Sequence, residues 1–224
     1  MKQLALDIGL ASVPTLDNFF AGANQAVQQH LRLYLALPRS PVPCYLWGDA
    51  GSGKTHLLKG LQHSLQEQGA PSGWMDANTR DPLAFDSRWQ AVLLDDVQWY
   101  DSAQQQAAFN WFVNAQTQQI PVFASGALPP ADLKLREDLR TRLGWGLVFQ
   151  LLNLSDEQRQ QVLLEAAQAR GLSLSQEVVD FMLNRFSRDL SSLMQLLDAL
   201  DTFALRTQRA VTIPLIKTML ADET

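Results

Sequence analysis

At 224 residues the chain is long enough for one or two domains with a substantial core, and 46% hydrophobic with 18% charged residues is ordinary for a globular protein. A net charge of −5 without any basic run excludes the clustered Lys/Arg footprint of a general nucleic-acid binder. One cysteine, Cys44, rules out an internal disulfide framework, no run of about 18 apolar residues could span a membrane, and Asp7 interrupts any apolar signal core, so a cytoplasmic protein is expected.

The chain opens with QLALDI, Gln3 to Ile8, which reads as a targeting signal, a first strand or a peptide meant for another protein. Residues 9–22 look irregular. ANQAVQQHLRLYLALP then reads as a helix with Val27, Leu31 and Leu35 on one stripe and Pro38 ending it. Residues 43–47 form a short apolar strand, and HLLKGLQHSLQEQG is a helix closed by Gly69. SGWMDA is a second strand. AVLLDD, 91–96, is an apolar run suited to a strand covered on both faces. SAQQQAAFNWFVNAQ follows as a helix with Ser102 placed to cap it, then strands at 120–125 and 147–152. This alternation implies an α/β fold with a parallel sheet and helices on both faces.

After Leu152 the strand pattern stops. SDEQRQQVLLEAAQARG carries a capping box, Ser155 with Gln158, and further helices are expected near 175–186, 189–206 and 213–221, the last with Pro214 in its first turn. The expected division is a leader at 1–10, an α/β nucleotide-binding domain at 11–152 and a small all-helical domain at 153–224.

GDAGSGKT, the run Gly48, Asp49, Ala50, Gly51, Ser52, Gly53, Lys54 and Thr55, fills the phosphate-loop pattern between a strand and a helix. Gly51 and Gly53 let successive N–H groups curl toward phosphate oxygens, the helix N-terminus adds positive potential, Lys54 reaches the terminal phosphates and Thr55 ligates magnesium. In VLLDDVQ, Asp95 is placed to hold the magnesium through water, and Asp96 to orient or deprotonate the attacking water. A nucleotide-binding protein is expected.

TLDNFFAGANQ, GDAGSGKTHLL, VLLDDVQ, TRLGWG and VTIPLIKTML occur in the order and spacing of the AAA+ module of the DnaA/Hda family, which the chain resembles over nearly its whole length. The resemblance implies a P-loop AAA+ core followed by a helical lid, without the helix-turn-helix through which the initiators of the family bind specific DNA sequences. It implies that Arg142 is an arginine finger reaching a neighbouring subunit's site, that Asn18 and Phe19 lie near the purine, and that His56, directly after the loop, borders the nucleotide. It puts the first polar sensor position on Ala127 and the second on Ser191, with Arg188 one turn away as a partial substitute. An alanine cannot feel the γ-phosphate, so the implied ligand is ADP (or ATP) with Mg2+, and the chain's own ATPase is at most weak.

The leader resembles the family's hexapeptide for the DNA sliding clamp, with Gln3, Leu4, Leu6 and Ile8 as groove anchors. The implied function is that of a regulator that docks on the clamp and stimulates hydrolysis of ATP bound to DnaA, with a homodimer left open as a further assembly and no membrane partner. An autonomous ATPase acting as a helicase loader or remodeller is the alternative. His30, His56 and His63 are spread over two helices and form no metal set. The six tryptophans suggest core or interface packing, and Trp145 is placed to support the finger.

Overall fold

The computed structural model describes residues 13–36, 41–186 and 190–222. The leader anchors Gln3, Leu4, Leu6 and Ile8, and Arg188, lie outside the described residues. The chain forms two compact units, one over Pro14–Asn153 and the other holding the helices from Leu154 onward.

The first unit runs α1 (Gln25–Ala36), β1 (Cys44–Trp47), α2 (Lys54–Glu67), β2 (Ser72–Met75), β3 (Ala91–Leu94), α3 (Ser102–Thr117), β4 (Val122–Gly126), α4 (Glu137–Leu143) and β5 (Leu147–Gln150). Its five strands lie in the order β2-β3-β4-β1-β5 and every pair is parallel. The α/β reading therefore holds, with helices on both faces.

Side-chain alternation explains why the strands read as unbroken apolar runs. Along β3, Val92 and Leu94 enter a core with Trp111 and Phe112 of α3 and Leu139 and Leu143 of α4. Ala91 and Leu93 point to the other face, against Leu31 of α1 and Leu57, Leu61 and Leu65 of α2. β4 divides the same way, Val122 and Ala124 against Phe123. Each fully buried leucine contributes roughly 1.5–3 kcal/mol of hydrophobic stabilisation.

β5 differs. Among the described residues it is an edge strand paired only with β1, and Leu147 and Val148 are 41% and 40% exposed, as an edge strand lacks a second neighbouring strand. Helix α3 also starts differently: Asp101, not Ser102, is the N-cap, in a reciprocal capping box with Gln104. A carboxylate one residue earlier takes the free N–H and leaves Ser102 as the first helical residue.

Register brings the working ends together. Trp47 of β1 pairs with Gly126 of β4, and Leu94 of β3 with Ala124, so the carboxyl ends of β1, β4 and β3 lie side by side. The loops leaving those ends carry the phosphate-loop run, the two aspartates and residue 127, the arrangement expected of ligand sites in open parallel sheets.

The second unit comprises α5 (Asp156–Ala169), α6 (Gln176–Arg185), α7 (Leu190–Thr207) and α8 (Ile213–Asp222). The capping box Ser155–Gln158 is present. Leu193, Leu196, Leu197 and Leu200 repeat at helical spacing and pack with Leu163, Val179, Met182 and Ile216 into a separate core. No helix among the described residues is long and apolar enough to cross a membrane.

Candidate functional site

The phosphate-loop run leaves β1 and ends in α2. Gly51 and Gly53 adopt left-handed backbone, φ +79° and +92°, and a Cβ on Gly53 would stand 2.6 Å from Cε2 of Phe19. The curl thus needs glycine for both conformation and space. Lys54 is buried and its Nζ donates to the carbonyls of Gly48 at 2.8 Å and Asp49 at 2.9 Å. Burial lowers its pKa, opposed by the charges of Asp96, Asp95 and Asp49. Ser52 Oγ is the one buried side-chain polar atom without a partner among the described residues. A curled loop with an orphaned hydroxyl and an ammonium held only by carbonyls fits a phosphate ligand.

Asp95 and Asp96 follow β3 directly. Asp95 is buried, and its Oδ1 accepts from Ser125 Oγ at 2.6 Å. Burial raises its pKa, and the neighbouring Ser125 and Thr55 hydroxyls oppose the rise. Thr55 and Asp95 are therefore brought together, a hard-oxygen pair suited to Mg2+. Magnesium bound there would supply charge neutralisation to the phosphates. Asp96 adopts left-handed backbone, φ 51°, ψ 50°, with its N–H on Ser125 Oγ at 2.9 Å, and its charge acts on Lys54.

Thr15 to Phe19 lies against α2. His56 Nε2 contacts the Thr15 carbonyl at 3.0 Å and Asn18 Oδ1 at 2.8 Å, and that same Oδ1 accepts the Thr15 N–H. Both ring contacts are acceptors, so Nε2 carries the proton. Burial lowers the pKa of His56. Phe19 is buried, its ring 5.7 Å from that of His56 and stacked over the Gly53 position. These contacts tie Asn18 and Phe19 to the phosphate loop. Gly60 permits the same approach one helical turn on: a Cβ there would meet the Thr15 backbone at 2.8 Å.

Arg142 stands apart, in the last turn of α4. That helix has Glu137 and Asp138 in its first turn and Arg140 and Arg142 in its last, which complements the helix dipole. The guanidinium lies 4.8 Å from the Trp145 ring centroid and 5.2 Å from that of Phe109, and donates to Gln116 Oε1 at 2.8 Å. No carboxylate pairs with it among the described residues. Arg142, Trp145 and Phe109 line an open surface depression together with Arg136, Glu137, Asp138 and Thr141.

Ala127 offers only its backbone N–H, which Gln98 Oε1 accepts at 3.0 Å. Ser191 lies in α7. Among the described residues no His/Cys/Asp/Glu group of three could hold a metal. Ser125, Gln98, Phe109 and Gln116 were not legible as site residues: Gln116 lies 26 residues before Arg142 in the chain, and only packing joins them. Gln98 stood within VLLDDVQ, where its distance past the aspartates carries no signal of which way its amide faces.

Residues 156–220 match the family model of the Hda lid domain. An uncharacterised protein of Haemophilus influenzae is 34% identical over 228 residues, covering 98% of each chain. Among solved structures, domain III of the Thermotoga maritima replication initiation protein DnaA is similar at TM-score 0.73 and 19% identity, over 93% of this chain and 95% of that one. AMPPCP-bound DnaA of Aquifex aeolicus is similar at TM-score 0.67 and 20% identity, over 86% of this chain and 66% of that one. Thermotoga maritima RuvB shares the fold at TM-score 0.64 and 14% identity, over 93% of this chain and 71% of that one. With an α/β core built around a phosphate-loop run, a lid that matches the Hda model and a full-length relative, the chain belongs to the DnaA/Hda family of AAA+ proteins.

Proposed function

We propose that the chain is an ADP-binding regulator of replication initiation that docks on the sliding clamp and stimulates hydrolysis of ATP held by DnaA. The observation that carries this reading is Arg142. A half-buried guanidinium without a carboxylate partner among the described residues, at the end of a surface helix, keeps its charge available to another molecule's phosphates.

In the chain's own site, Gly48 to Gly53 would receive the diphosphate, Lys54 would exchange its carbonyl partners for phosphate oxygens, and Thr55 with Asp95 would hold Mg2+. At position 127 only a methyl group is present, which supports a bound nucleotide that is chiefly a structural ligand, stabilising the fold by linkage. Asp96 is retained, so a slow hydrolysis of the chain's own is compatible with this role. Gln3, Leu4, Leu6 and Ile8 would supply the tether, an extended peptide with side-chain pockets and backbone register. The reading places the protein in the cytoplasm, with DnaA and the clamp as partners and no sequence-specific DNA contact of its own.

The test is phosphate release from DnaA–ATP in the presence of DNA-loaded clamp. Arg142→Ala should bind ADP as the wild type does yet lose most of a stimulation expected at about 10³-fold or more. Deleting residues 3–8 should abolish both clamp binding and stimulation. Undiminished stimulation by Arg142→Ala would refute the mechanism.

A further inference from the structure

Gln98 lies on the short 3-10 turn Val97–Trp99 directly after the two aspartates. Its carboxamide bonds in two directions: Oε1 accepts the Ala127 N–H at 3.0 Å, and Nε2 donates to Asp96 Oδ1 at 3.1 Å. A backbone N–H can only donate, so the amide has one orientation, oxygen toward β4 and nitrogen toward the carboxylate. Asp96 is thereby held at three points: left-handed backbone at φ 51°, its N–H on Ser125 Oγ at 2.9 Å, and Oδ1 on Gln98. Such backbone is unfavourable for a non-glycine residue and persists where the surroundings over-determine it. The N–H that Gln98 occupies belongs to the residue where a polar sensor side chain is lacking.

We infer that Gln98 is the positioning residue for Asp96, engaging Oδ1 so that Oδ2 is aimed at the water attacking ATP in this chain's own phosphate loop. The inference rests on the nucleotide-binding reading of that loop. In the step it serves, the water oxygen bonds to the γ-phosphorus, and the bond from phosphorus to the β–γ bridging oxygen breaks with its electron pair leaving on ADP. The water proton passes to Asp96 Oδ2 and then to solvent, giving ADP and inorganic phosphate.

Two substitutions separate this role from a structural one. Gln98→Glu keeps an acceptor for the Ala127 N–H but sets an oxygen against Asp96 Oδ1; Gln98→Met removes both bonds. The assay is single-turnover hydrolysis of Mg–ATP with protein in excess, alongside ADP affinity on the same preparations. Both variants should bind ADP within about twofold of wild type, while the hydrolysis rate falls about tenfold or more in each with the half-saturating ATP concentration unchanged. A wild-type rate in Gln98→Glu with a slow Gln98→Met would overturn the inference, because Gln98 would then only tie the two loops. Wild-type rates in both variants would overturn it too, as would a wild type that binds ADP but turns over no ATP. Failure of the wild type to bind ADP at all overturns the phosphate-loop reading itself, and the binding arm reports that separately.

Discussion

Replacing Ser125 by alanine removes one oxygen atom from the centre of the site. Ser125 is fully buried, and its hydroxyl works twice, donating to Asp95 Oδ1 at 2.6 Å and accepting the Asp96 N–H at 2.9 Å. A hydrogen bond to a charged group contributes about 1.5–3 kcal/mol net, and a stranded N–H adds about 1 kcal/mol. Asp95 keeps the Thr55 hydroxyl as a neighbour, so the carboxylate is left half-served rather than bare. The sum is about 3 kcal/mol, a large share of a typical stability of 5–15 kcal/mol. Urea unfolding at neutral pH with linear extrapolation reads this directly, and an unchanged slope would show that only stability moved. Thr55→Ala should couple to Ser125→Ala by more than about 0.5 kcal/mol, because both hydroxyls serve one carboxylate. A Ser125→Ala loss below about 0.5 kcal/mol would refute the reasoning, since the network would then carry no stability.

Two further outcomes follow from the same geometry. A Cβ on Gly126 would stand 2.0 Å from Tyr45 Oη, which donates to the Leu128 carbonyl at 2.8 Å, so Gly126→Ala should destabilise by about 2 kcal/mol or more. Adding Tyr45→Phe should recover part of that loss in a double-mutant cycle; strict additivity would disprove the clash. His56 has its folded pKa lowered by burial below 6.5, so the unfolded chain takes up the proton first. The associated stability is therefore complete above pH 6.5 and lost as pH falls toward the folded pKa. His56→Gln should flatten the stability–pH profile below pH 6.5, and an unchanged profile would show that His56 contributes nothing to it.

The strands, the phosphate loop and the lid helices were readable because their determinants are local. Strand runs such as AVLL are apolar throughout because both faces of the sheet are covered, and the Gly51/Gly53 curl is written in the residues that perform it. Helix α4 was not read as an element of its own. Seven residues with only Leu139 and Leu143 buried give too short a stripe for periodicity, although its charges are ordered along the dipole. The cap of α3 was misplaced by one residue because aspartate and serine side by side are both good caps, and the fold selects the one whose partner, Gln104, can answer it.

By itself the sequence determined the residue types at hand: a glycine-rich phosphate-loop run, a carboxylate pair at a strand end, an alanine at position 127, and the arginine that opens RLGWG. Those features depend on residue type at short spacing, which the chain carries without help. Only the tertiary structure decided what each group touches. It set Arg142 between Phe109 and Trp145, latched Thr15 and Asn18 to His56, and ran Ser125 and Gln98 between the ends of β3 and β4. These contacts join residues distant in the chain, and their partners were chosen by how helices and strands pack, which no local pattern encodes.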